Sequence, residues 1–166
     1  APVEDCYAAL KWLAAHSAEF GINTSRIAIG GASAGGGLAA GLALLTRDRA
    51  EVEVAFQLLI YPMIDDRNIA PASATVPDTF VWTRENNLMG WRALLGREPG
   101  GAEVSPYAAA ARATDLKGLP PAYIPVGDLD LFLDENILYA QRLLAAGVPT
   151  ELHVYPGAFH GFNGFV

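Results

Sequence analysis

The sequence predicts an α/β fold with about four parallel strands flanked by helices, and three observations predict it. Short apolar runs alternate with segments of helical period, in the order helix, strand, helix, strand, long excursion, strand, helix, strand. Strand–helix–strand crossovers within one sheet are right-handed, which makes the joined strands parallel. Residues 26–38, RIAIGGASAGGGL, run from an apolar strand into a helix through a cluster of small residues around one serine, Ser33.

The elements follow in order. Residues 2–20 read as a helix: Pro2 suits a first turn, Glu4 and Asp5 favour the amino end, Val3, Cys6, Leu10 and Leu13 recur at helical spacing, and Gly21 stops it. Asn23-Thr24-Ser25 makes a turn into the strand that ends at Ser33, and a helix follows over about 34–47. The charged loop 47–53 leads to a second strand, 54–61, almost wholly apolar, as a parallel strand covered on both faces should be. Residues 62–121 form a long excursion with one clear helix near 84–95. An excursion of that length between two strands suits a lid or pocket wall. Its aromatics Phe80, Trp82 and Trp91 fit pocket lining and a small core of their own equally well. Regular alternation resumes with strand 122–127, a helix over about 134–146 stopped by Gly147, and strand 150–155.

At 166 residues the chain is one domain's worth, with no internal repeat. No apolar run reaches membrane-spanning length and no charged, cleavable leader opens it, so no membrane span is expected and the cytoplasm is the default location. A net charge of −7 with both signs dispersed argues against nucleic acid and anionic membrane surfaces as partners. Cys6, the single cysteine, has no base or elbow around it and reads as a small, at least half-buried apolar residue.

Gly31-Ala32-Ser33-Ala34-Gly35 fits the G-x-S-x-G nucleophile elbow, with strand before and helix after. So tight a turn strains the serine's backbone, and residues with little side chain let its two arms approach. The following helix aims unpaired N–H groups at the same place. A Walker phosphate loop fails because no lysine follows the glycines. A dinucleotide fingerprint fails because Ala32 stands where its second glycine belongs and no acid ends the next strand.

A serine nucleophile needs a base, and the base an acid to orient it. Sites of open parallel sheets lie beyond the carboxyl ends of the strands. His16 falls on a solvated face of the first helix and His153 inside a strand, whereas His160 follows a strand end on a Gly-flanked loop. Asp128 and Asp130 both stand at the carboxyl end of the third strand, with turn formation as the alternative role of each. Asp134 suits the cap of the next helix. The chain order Ser, Asp, His is the one α/β-hydrolases use.

With GASAGGG around Ser33, LLIYPMIDDR from 58, LDLFLDEN from 129 and YPGAFHGF from 155, the chain resembles the carboxyl-terminal half of an α/β-hydrolase of the hormone-sensitive lipase family, in its bacterial esterase branch. The four blocks span nearly the whole chain. Family members carry D-P-L-R-D-E in the third block with the triad acid first, which implies Asp130 in that role and Asp134 as the second, structural aspartate. The implied catalytic set is Ser33, Asp130 and His160, with the Ala34 N–H serving the oxyanion and no cofactor or metal. The implied activity is hydrolysis of short to medium acyl esters, small-molecule substrates for which Phe80, Trp82, Leu131 and Phe159 would form an apolar pocket. Two departures stand out. Ala32 replaces the usual Asp or Thr, and neither the upstream H-G-G oxyanion motif nor the amino-terminal cap segment occurs in this sequence, so a partial α/β-hydrolase domain over 1–166 is expected, with impaired activity. In that family's sheet the four strands are adjacent. The nucleophile strand then lies at an edge, and an apolar edge can pair two copies into a homodimer. The rival reading is an inert fragment or a small-molecule-binding module of the same fold.

Overall fold

The computed structural model describes residues 2–68 and 81–164. Its elements are α1 (Pro2–Ala15), β1 (Ala28–Ala32), α2 (Ala34–Arg49), β2 (Phe56–Ile60), α3 (Arg84–Leu95), β3 (Ala122–Gly127), α4 (Leu133–Ala145) and β4 (Thr150–Tyr155), with short 3-10 turns between. The strands form one parallel sheet in the order β1-β2-β3-β4, with β1 at an edge. The register places Gly31 beside Leu59, Gln57 beside Ala122 and Ile124 beside Leu152.

The inward positions of the sheet, Ile29, Leu59, Ala122 and Ile124, pack with Tyr7 and Leu10 of α1, Leu44 of α2, and Tyr139 and Leu143 of α4. Burying a side chain of the size of Leu44, Leu59 or Ile124 contributes about 1.5–3 kcal/mol. Small residues bring α2 close to its neighbours. Ala40 and Ala43 are wholly buried, and a side chain on Gly41 would run into the Tyr107 carbonyl.

Several sequence expectations change here. α1 ends at Ala15, five residues short of Phe20, because the chain tightens into turns that carry Ile22 back to the core. Its buried stripe is Val3, Tyr7 and Leu10, with Cys6 and Leu13 only half-buried. His16 therefore lies just beyond the helix, half-buried and stacked on Trp12 at 4.4 Å between ring centres. The second strand is shorter than 54–61 and is covered on one face only: Gln57 and Leu59 are buried, while Phe56 is exposed and Leu58 and Ile60 half-buried. The physical reason is that α1, α2 and α4 pack on the same side of the sheet, leaving Ala28, Gly30 and Ala32 of β1 exposed on the other.

Asp134 does not cap α4 either. Phe132 holds the N-cap position, and the bonds at the start of the helix come from Asp130, whose Oδ1 accepts the Phe132 N–H at 2.9 Å and whose carbonyl accepts the Leu133 N–H at 3.1 Å. Asp134 sits exposed in the first turn, where a negative charge still favours the helix dipole.

Within the excursion, α3 starts at Thr83, whose hydroxyl accepts the Asn86 N–H, and closes at Gly96 in the left-handed region (φ 66°). A second core gathers Met63, Trp91, Val104, Ala109, Leu131 and Phe132. Trp91, 1% exposed, belongs to that core.

Candidate active site

Ser33 stands between the end of β1 and the start of α2 with φ 57° and ψ −122°, the left-handed backbone that a nucleophile elbow requires. Both of its peptide groups are held from the end of β2: the Ser33 N–H donates to the Ile60 carbonyl, and the Met63 N–H donates to the Ser33 carbonyl, each at 3.0 Å. The small residues are there for space. A Cβ on Gly31 would collide with the Gly35 backbone, and one on Gly37 with the Met63 carbonyl.

Ser33 Oγ lies 2.8 Å from His160 Nε2, and His160 Nδ1 lies 2.9 Å from Asp130 Oδ2. The carboxylate fixes the tautomer: an ionised Asp130 can only accept, so Nδ1 carries the proton and Nε2 is left to accept from the serine. Asp130 is fully buried and His160 6% exposed, which concentrates the electrostatics of the line. The fold brings together these three residues from three different strand ends. Asp128 points elsewhere, its Oδ1 accepting the Gly157 N–H at 2.7 Å and bracing the loop that leads to His160. His153 is exposed on β4, 2.6 Å from Glu151.

Aromatic rings wall the imidazole. Tyr61 and Phe132 meet it edge to face at 4.8 and 5.0 Å, and Trp82 lies tilted at 6.2 Å. Tyr61 takes a positive φ of 34°, uncommon for so bulky a residue. Burial and then the nearby Asp130 charge push its phenol up, so it stays protonated and donates to Asn163 Oδ1, tying the end of β2 to the segment after His160.

The loop after β2 is in turn clamped by α4. Glu135 Oε1 accepts the Ile64 and Asp65 N–H groups at 2.7 and 3.2 Å, Oε2 accepts from Asn68 Nδ2 at 2.6 Å, and Asn136 Nδ2 donates to the Pro62 carbonyl at 2.8 Å. Burial pushes the Glu135 carboxyl well above the usual range, while the three donors pull the other way. Sequence reasoning missed Tyr61, Glu135 and Asn136. The available signal was two polar residues, Glu135 and Asn136, on the inward face of an amphipathic helix.

Asp66 is a further buried anchor. Its carboxylate accepts from Arg112 Nε at 2.5 Å, from Arg112 Nη2 at 2.8 Å and from the Gly100 N–H at 2.7 Å. Burial opposes its charge, but those bonds outweigh burial and hold the carboxyl below its usual range. A depressed carboxylate contributes stability that is present above its unfolded value, about 3.9, and is lost as pH falls through the folded one. Asp66→Asn is expected to cost roughly 3 kcal/mol at pH 7 by leaving Arg112 unpaired. That corresponds to a fall of about 6–12 °C in thermal midpoint for a chain of this size. Thermal unfolding should show the gap to the unsubstituted protein narrowing below about pH 4, and a gap independent of pH would contradict the assignment.

Beside the elbow is an apolar cavity of about 140 Å³, whose lining includes Ala34, Gly37, Met63, Trp82, Gly90 and Leu94. Of the four residues expected to line a pocket, Trp82 does so. Leu131 packs into the second core at 4% exposure because the turn into α4 directs it inward, and it does not line this cavity. Phe159 is half-buried on the loop before His160 and does not line it either. Phe80 lies outside the described residues. Ala34, as the first residue of α2, carries one of the N–H groups that a helix leaves without an internal partner.

A strained serine between strand and helix, with a histidine and a buried carboxylate converging from two later strand ends, defines a class of protein, and the comparisons agree with it. The family model of the alpha/beta hydrolase fold matches residues 1–164, and the chain belongs to that family. Among named relatives it is 35% identical over 167 residues to carboxylesterase NlhH of Mycobacterium tuberculosis, covering 99% of this chain and 52% of that protein. It is 36% identical over 165 residues to esterase LipI of the same organism, covering 99% and 51%. Among solved structures it superposes on a bacterial heroin esterase with a TM-score of 0.90 at 51% identity, covering 97% of this chain and 52% of that one. The chain spans about half the length of the relatives it matches. Among the described residues no helix is long and apolar enough to cross a membrane.

Proposed function

We propose that this chain carries the nucleophile, base and acid of a serine carboxylesterase acting on short to medium acyl esters. The observation that carries the reading is the continuous hydrogen-bonded line from Ser33 Oγ through His160 to Asp130. Ser33 Oγ attacks the ester carbonyl as its proton passes to His160 Nε2, and Asp130 stabilises the imidazolium. The Ala34 N–H, at the positive end of α2, holds the tetrahedral oxyanion. His160 then protonates the departing alcohol, and water deacylates Ser33 by the reverse sequence. The segment 62–121 serves as the pocket wall, since Met63, Trp82, Gly90 and Leu94 line the cavity next to Ala34. The chain's proposed place of action is the cytoplasm, where free thiols such as that of half-buried Cys6 persist.

The rival is a binding module or inert fragment of the same fold, and a fluorophosphonate probe separates the two. Covalent labelling on Ser33, located by peptide mass spectrometry, is the expected result. An unlabelled Ser33 in folded protein would favour the rival. The open edge of β1 supports a second proposal, that two copies pair through it, and a light-scattering mass that stays monomeric at every concentration would rule this out.

A further inference from the structure

Gly90 lies in the middle of α3, where glycine is a poor choice for a helix interior. Nothing in its backbone asks for it, because its φ is not in the positive region. Gly37 and Gly41 of α2 differ: a Cβ on either would strike a carbonyl of a neighbouring segment. Among the described residues the atoms nearest a Cβ on Gly90 are side-chain atoms at ordinary contact distance, Trp82 Cζ2 at 3.5 Å and Met63 Cε at 3.6 Å. Both of those side chains line the cavity beside Ala34, and so does Gly90 itself. What the missing side chain leaves is therefore free volume in that cavity, whose lining Gly90 shares with Ala34 of the elbow.

Building on the esterase reading, we propose that Gly90 sets the acyl-chain limit of the site, the absence of its side chain opening a pocket for an unbranched, uncharged acyl group of about six carbons. The size follows from the volume. An apolar protein cavity of about 150 Å³ accepts benzene, six carbons, and this one measures about 140 Å³. The absence of charge follows from the lining, to which no ionisable side chain contributes among the described residues. A charged or dicarboxylic acyl group would lose its hydration there with nothing to replace it. Each methylene that enters adds about fourfold in affinity, and each that finds no room adds nothing or is repelled.

The test reads binding separately from turnover. Neutral carboxamides from acetamide to decanamide, unreactive stand-ins for the acyl group, are titrated into the protein while the Met63 methyl and Trp82 indole NMR signals are followed. Affinity should rise by about fourfold per methylene to about hexanamide and then stop. Gly90→Leu should end the rise near propanamide. Gly90→Ala, whose added carbon fits at ordinary contact, should shorten the limit by about one methylene and decides the matter if the leucine variant does not fold. A limit unchanged in both variants, Met63 and Trp82 signals that do not move, or no chain-length dependence at all would overturn the proposal. The same proteins are then assayed on p-nitrophenyl esters of two to ten carbons. Intact amide discrimination with no hydrolysis would overturn the esterase reading and leave the pocket standing. Ser33-dependent hydrolysis with no change of chain preference in the Gly90 variants would overturn the pocket and leave the esterase standing.

Discussion

Ser33→Ala is expected to abolish fluorophosphonate labelling and to lower turnover of p-nitrophenyl butyrate by up to roughly a millionfold, the loss seen when a triad nucleophile is removed from an intact enzyme. On the proposed reading the effect should fall on kcat, because Oγ would form the acyl-enzyme bond while substrate binding would rest on the cavity and the α2 amino end. Folding should survive the change. The Ser33 backbone is fixed by the Ile60 carbonyl and the Met63 N–H, and among the described residues its hydroxyl bonds His160 alone. Circular dichroism and the thermal midpoint should therefore stay close to those of the unsubstituted chain. Hydrolysis at an undiminished rate would show that Ser33 is not the nucleophile.

Asp130→Asn should cost about ten-thousandfold in kcat while leaving the shape of the site in place. An asparagine carbonyl oxygen can still accept the Phe132 N–H that Oδ1 now accepts, so the start of α4 is kept. The amide nitrogen would then face His160 Nδ1 and donate to it. The proton of the imidazole moves to Nε2, which can no longer take one from Ser33. Asp128→Asn is the matched comparison, since that carboxylate bonds the Gly157 N–H and touches no ring nitrogen. If the two substitutions lowered turnover alike, the acid would be misassigned.

Much of this was legible in the chain because local rules wrote it. β3 and β4 fall where their apolar runs do, α3 runs from its Thr83 cap to its Gly96 stop, and the elbow announces itself through small residues packed around one serine. Motif order and resemblance singled out Ser33, Asp130 and His160, and the fold places them in hydrogen-bond contact. The residues that hold them there were not legible. Tyr61 bonds across 102 positions, Asn136 across 74 and Glu135 across 67 to 71, and no local pattern encodes a contact between residues so far apart.

By itself the sequence determined the alternation of strands and helices, the position of the strained turn and the residue types capable of acyl transfer, since each depends on neighbours a few residues apart. The tertiary structure alone decided that Asp128 braces the loop before His160, that α1, α2 and α4 share one side of the sheet, and that Trp82 lines the cavity while Leu131 fills the core. Those outcomes depend on how parallel strands register and on which face each helix covers. Both are set by packing summed over the whole domain.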